Sequence, residues 1–136
     1  MNEVKQEYLD YAKKFETIGD LIIIISNMIK GPGAIKIMTV ENYEEYQKNI
    51  QETIDRFKQV KDSMSEMKNP EIIDEEHAKL VGYFDGFIES IETLNRSANL
   101  EKFDPEQYSN GLKLQEDSKV NLLKTIEEIV TKFQNG

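Results

Sequence analysis

Three prolines, Pro32, Pro70 and Pro105, divide the chain into four stretches, and in each stretch apolar residues recur three and four positions apart. Proline lacks the N–H that a continuing helix needs, so it interrupts a helix or opens one. A three-four interval is the spacing of one α-helical face. Together they predict an all-α chain folded as an antiparallel up-and-down four-helix bundle. The bundle should be elongated, because a helix of about thirty residues is about 45 Å long at 1.5 Å per residue. The predicted helices span residues 3–30, 40–68, 70–97 and 105–134 of a single domain covering residues 1–136.

The first helix carries Val4, Tyr8, Tyr11, Phe15, Ile18, Ile22, Ile25 and Ile29 on one face and stops at a Gly31-Pro32-Gly33 turn. Thr39 is placed to cap the second, whose seam is Tyr43, Gln47, Ile50, Ile54, Phe57, Lys61 and Met64. Asn69-Pro70 reads as a cap followed by proline at the first helical position, so the third helix should begin at once. Its seam is Ile73, His77, Leu80, Phe84, Phe87, Ile91 and Leu94, and it holds Gly82 and Gly86, either of which would let another helix approach or would simply be a tolerated cost. Asp104-Pro105-Glu106-Gln107 opens the fourth, which is expected to be irregular or bent around Gly111 because Gln115 to Lys119 is polar.

One run breaks the amphipathic pattern. Leu21-Ile22-Ile23-Ile24-Ile25 is apolar on every side of its helix for more than a turn, so it calls for burial on more than one side. It is too short to cross a bilayer, with Gly19, Asp20, Ser26 and Asn27 close on either side, and no membrane insertion is expected of the chain. β-Branched isoleucine leaves a strand here as a minor alternative.

The residue inventory removes most chemistry. With no cysteine there is no disulfide, thiol nucleophile or Cys-type metal site, and a single His77 cannot supply the two Glu-x-x-His motifs of a di-iron bundle. Adjacent pairs such as Glu44-Glu45, Glu75-Glu76 and Glu127-Glu128 diverge by about 100° on a helix and do not converge on one substrate. No serine stands in a G-x-S-x-G context, and Gly31-Pro32-Gly33 lacks the Gly-Lys-Ser/Thr of a phosphate-binding loop. A non-enzymatic chain without a cofactor or metal is expected.

Asp74 and His77 stand three residues apart, and His77 interrupts an apolar seam. The pair reads as a ligand, a proton-sensing imidazole or a buried polar contact; alternatively His77 is bonded to a nearby carboxylate or backbone carbonyl. The net charge of -9 disfavours a nucleic acid partner, since phosphate binding needs a clustered basic surface. The excess centres on Glu71–Glu92, where Asp85, Glu89 and Glu92 form an acidic face that is either a dock for a basic partner or a solvated surface.

The stretch Asn69-Pro70-Glu71-Ile72-Ile73-Asp74-Glu75-Glu76-His77-Ala78-Lys79-Leu80, with the later Asp104-Pro105-Glu106-Gln107-Tyr108 to Gly111, resembles a pattern in small uncharacterised helical-bundle lipoproteins of Gram-positive bacteria. In those proteins a proline, a short acidic stretch and His-x-x-Leu open a helix that follows a long amphipathic one. The resemblance covers the second half of the chain, and it implies a bundle without an assigned activity. The signal sequence and lipidating cysteine of such proteins are absent from this chain.

Three readings of function follow. The first is a protein-protein interaction or assembly module, which docks a partner or a second copy on the acidic face or on an apolar groove near Leu21, Ile22, Ile23, Ile24 and Ile25. The second is a ligand-binding or sensory bundle with a cavity near His77. The third is an acidic inhibitor mimicking nucleic acid, which rests on charge alone. Location depends on the start of the chain: cytoplasmic if Met1 is native, extracytoplasmic and surface-anchored if an anchoring segment has been trimmed away.

Overall fold

The computed structural model describes residues 6–135, and among them the fold is all-α, with no strand. The helices are α1 (Gln6–Met28), α2 (Pro32–Lys36), α3 (Val40–Glu66), α4 (Asp74–Ser97) and α5 (Pro105–Asn135). A single 3-10 turn, Glu71–Ile73, precedes α4, and one isolated bridge joins Ala98 to Phe103 between α4 and α5. The predicted helical residues 3–5, Val4 included, lie outside the described residues.

The Leu21–Ile25 run is helical, so the strand alternative falls. The expected turn at Gly31-Pro32-Gly33 is instead the start of a short helix. Gly31 flanks α2 with an extended backbone, Pro32 occupies its first turn, and Ile35 anchors it in the core. None of the described glycines adopts a left-handed backbone, so Gly31 and Gly33 do not act through the freedom that a turn would demand. Thr39 caps α3 as its position predicts, accepting from the Asn42 N–H at 3.2 Å.

Two further expectations are corrected. The third long helix begins at Asp74 and not at residue 70, because Pro70 is extended and the next three residues close a 3-10 turn. Asn69 does not cap: its amide donates to Asp74 Oδ1 at 2.7 Å and to the Pro70 carbonyl at 2.9 Å, bracing the turn from outside. α5 is also continuous through Gly111, with no break in its polar middle. Gly111 is buried under Leu94, whose side chain and backbone N would lie 3.0 and 3.3 Å from a Cβ at that position. The missing side chain thus brings α5 against α4 without interrupting the helix.

Small residues line this closest helix pair. Gly86, Ser90 and Ser97 share one face of α4 at four- and seven-residue spacing, and Gly111, Ser118 and Thr125 recur every seven residues on α5. A Cβ on Gly86 would stand 3.0 Å from Ser118 Oγ, whereas one on Gly82 meets nothing within 4 Å. Close helix approach therefore explains Gly86 and leaves Gly82 as a plain cost to the helix. The buried hydroxyls of Ser90, Ser97 and Thr125 donate to carbonyls of their own helices, so they need no partner across the interface.

The core centres on Phe57, Phe84 and Phe87, packed edge-on, with Ile50, Ile54, Ile91 and Ile25 around them. α4 and α5 approach closely along their backbones, while α1 and α5 meet mainly through side chains. The Leu21–Ile25 run is accordingly only half covered. Ile25 is fully buried and Leu21 and Ile22 are partly buried, but Ile23 is 61% and Ile24 50% exposed.

Candidate functional site

His77 sits where three helices meet. On one side Nε2 lies 2.9 Å from the Met64 carbonyl of α3, and on the other Nδ1 lies 2.7 Å from the Tyr11 hydroxyl of α1. A carbonyl only accepts, so Nε2 carries the proton, and Nδ1 accepts from the Tyr11 O–H. Burial pushes the Tyr11 phenol well above its ordinary value, which keeps that proton in place. Both ring nitrogens are engaged, leaving none for a metal or a substrate. Asp74 is not brought to the imidazole, because it is exposed at the start of α4 and holds Asn69. Among the described residues no cluster of three or more His, Asp or Glu could hold a metal ion. A cleft of about 250 Å³ does reach Tyr11, but its walls are the charged Glu7, Asp10, Lys14 and Lys68 with Met67, Asn69 and Pro70, and His77 is not among them.

The acidic face is largely answered from within the chain. Lys61 of α3 pairs with Asp85 at 2.9 Å, a hydrogen bond that raises the affinity of the ammonium for its proton, and Lys58 pairs with Glu92 at 3.5 Å. Of the three acids expected to dock a basic partner, only Glu89 has no ion pair among the described residues.

The most apolar of the concave surfaces among the described residues lies between α1 and α5. It is a groove of about 260 Å³ whose floor is formed by buried Ile18, Met64, Leu80 and Leu122. Ile23 of α1 and Leu123 of α5, 61% and 63% exposed, form its lips. Lys119 is its only charged lining residue. Gly19 also borders the groove, and a Cβ there would meet nothing within 4 Å. Nothing in the packing therefore requires glycine at this mid-helix position. On the other side of α1 an open cleft of about 400 Å³ faces α3 and shares Ile18 and Met64 with the groove.

The Leu21–Ile25 expectation thus meets the groove at Ile22 and Ile23 only, while Ile24 faces elsewhere and Ile25 is core. Sequence reasoning missed Gly19, Lys119 and Leu123. The usable signals were a glycine inside a strong helical pattern and the Leu122-Leu123 doublet, which places one leucine beyond the seam. No helix among the described residues is long and apolar enough to cross a membrane. Comparison with protein families, with curated proteins and with solved structures finds no match to this chain.

Proposed function

We propose that the chain is a non-enzymatic binding module, an antiparallel up-and-down bundle of α1, α3, α4 and α5 whose recognition surface is the apolar groove between α1 and α5. Pairings between opposite helix ends support the arrangement: Tyr8 near the start of α1 stacks on Phe133 near the end of α5, and Glu76 at the start of α4 pairs with Lys132. A binding role rests on one observation, a groove with an apolar floor and two exposed apolar lips. Water in such a groove makes few hydrogen bonds, so an apolar occupant displaces it at a gain. The engaged His77 supports a role without catalysis.

Gly19→Leu tests the reading. The leucine side chain projects into open space, fills the groove and removes a poor helix former, so the variant should fold at least as well as the parent. A fluorescent apolar probe should bind the parent at one site and lose that site in the variant. Equal binding by both would refute the groove as the recognition surface.

A second reading, assembly through the same lips, is favoured by the exposure of Ile23 and Leu123 beside Val120 and Val130 of α5. Light scattering across protein concentration decides it. A dimer that persists in high salt and dissociates in Leu123→Lys supports assembly, and a monomer at every concentration rejects it.

A further inference from the structure

We infer that the α1–α5 groove takes a straight-chain acyl carboxylate of about ten carbons, its tail along the floor and its carboxylate on Lys119. This rests on the reading of the groove as the recognition surface and adds the chemistry of the occupant. The tail follows from the walls, which offer a bound molecule no polar side chain apart from Lys119. Its length follows from the extent of the groove along α1, Phe15 to Ile23, about 12 Å at 1.5 Å per residue. A volume of about 260 Å³ is enough for one such chain.

The headgroup follows from Lys119. It is half-buried, and among the described residues no carboxylate lies within ion-pair distance of its ammonium. Equal steps from the Tyr8–Phe133 contact along two antiparallel helices bring Lys119 level with Ile22, at the end of the groove nearest the α1 C-terminus. Phe15 and Ile126 close the opposite end. A single cation at one end of an apolar trough complements an amphiphile with one negative charge at one end. The charges that helical spacing places beside the groove, Glu16 and Asp20 on α1 and Glu116, Lys124 and Glu127 on α5, are four acids to one base. A protein docking there by charge would have to be basic, whereas Lys119 is the one charged residue that lines the groove itself.

Decanoate, decanol and decylamine share a tail and differ in head charge, so titration calorimetry with the three at about pH 7.5, below their aggregation limits, separates tail from head. Decanoate should bind at one site about three-fold more tightly than decanol, the scale of a partly exposed ion pair, and decylamine should bind most weakly. Lys119→Gln should erase the preference for decanoate and leave decanol unchanged. Shortening the chain to octanoate should weaken binding about four-fold per methylene, and lengthening beyond ten carbons should add little. Equal affinity for all three heads, or a preference that survives Lys119→Gln, would overturn the carboxylate assignment while the groove reading stands. Binding of none of them, together with equal binding of the fluorescent probe by the parent and Gly19→Leu, would overturn both.

Discussion

The Tyr11 hydroxyl donates to Nδ1 of His77 across 2.7 Å, and through that imidazole α1 is tied to the Met64 carbonyl of α3. Tyr11 is 2% and His77 8% exposed, so every polar atom in this chain of bonds is answered inside the protein. The imidazole thus acts as a joint between helices.

Tyr11→Phe keeps the ring and its edge-on contact with Phe15 but leaves Nδ1 without a donor. The expected loss is about 1–3 kcal/mol, the cost of one buried unsatisfied group. Urea denaturation measures it. His77→Leu should lose a similar amount, and the double variant should lose clearly less than the two added together, because each single change orphans the other partner. Strict additivity would mean that the bond contributes nothing.

The Glu76–Lys132 pair gives the fold an acid limit. Its N–O distance is 2.9 Å, the Glu76 carboxylate is buried, and the same ammonium reaches the Ile72 carbonyl at 3.2 Å. The hydrogen bond from Lys132 holds the Glu76 carboxyl below its ordinary value. A lowered carboxyl binds its proton less readily folded than unfolded, so its contribution is complete above about pH 5. It drains as the pH falls through the depressed folded value. Melting temperature against pH should fall more steeply on the acid side for the parent than for Glu76→Gln, and the two curves should converge at low pH.

The three glycines of α4 and α5 should respond in opposite senses to alanine. Gly82→Ala fills open space and should stabilise by about 0.5–1 kcal/mol. Gly111→Ala drives a methyl onto Leu94 and its backbone and should destabilise by about 1–3 kcal/mol. Gly86→Ala falls between them, since Ser118 Oγ can rotate away from the added methyl. Thermal melts of the three variants check the order.

These residues also show what the sequence makes legible. Helix existence, the Thr39 cap and most of the core were readable, because each depends on residues within a few positions of one another. The role of Gly111 was not: a glycine in a polar stretch reads as a helix weakness until Leu94, seventeen positions earlier, is known to lie over it. His77 stood out at once as a polar residue on an apolar seam. Its partners did not, since Tyr11 is 66 positions away and the Met64 carbonyl belongs to a backbone that no residue identity reveals. The groove was half legible. An apolar run too wide for one face announces exposed surface, but the opposite lip at Leu123 comes from a distant helix.

α1 should be the first long helix to open. It has a cleft on each flank, one toward α3 and one toward α5, and its backbone does not approach α5 as closely as α4 does. Local opening requires little where few buried contacts hold an element. Aromatic stacking of Tyr8 on Phe133 and the Tyr11–His77 bond act toward the start of α1, while Ile25 and the Lys30 N–H bond to Tyr46 Oη hold its far end. Between Tyr11 and Ile25 only Ile18 of α1 is buried, and a cleft lies on either side of it. Native-state hydrogen exchange should therefore show amides of the middle of α1 exchanging with a lower opening free energy than those of α4 facing Gly111 and Ser118. Gly19→Leu should slow exchange in α1 by covering its groove side, and uniform protection along α1, α4 and α5 would contradict this picture.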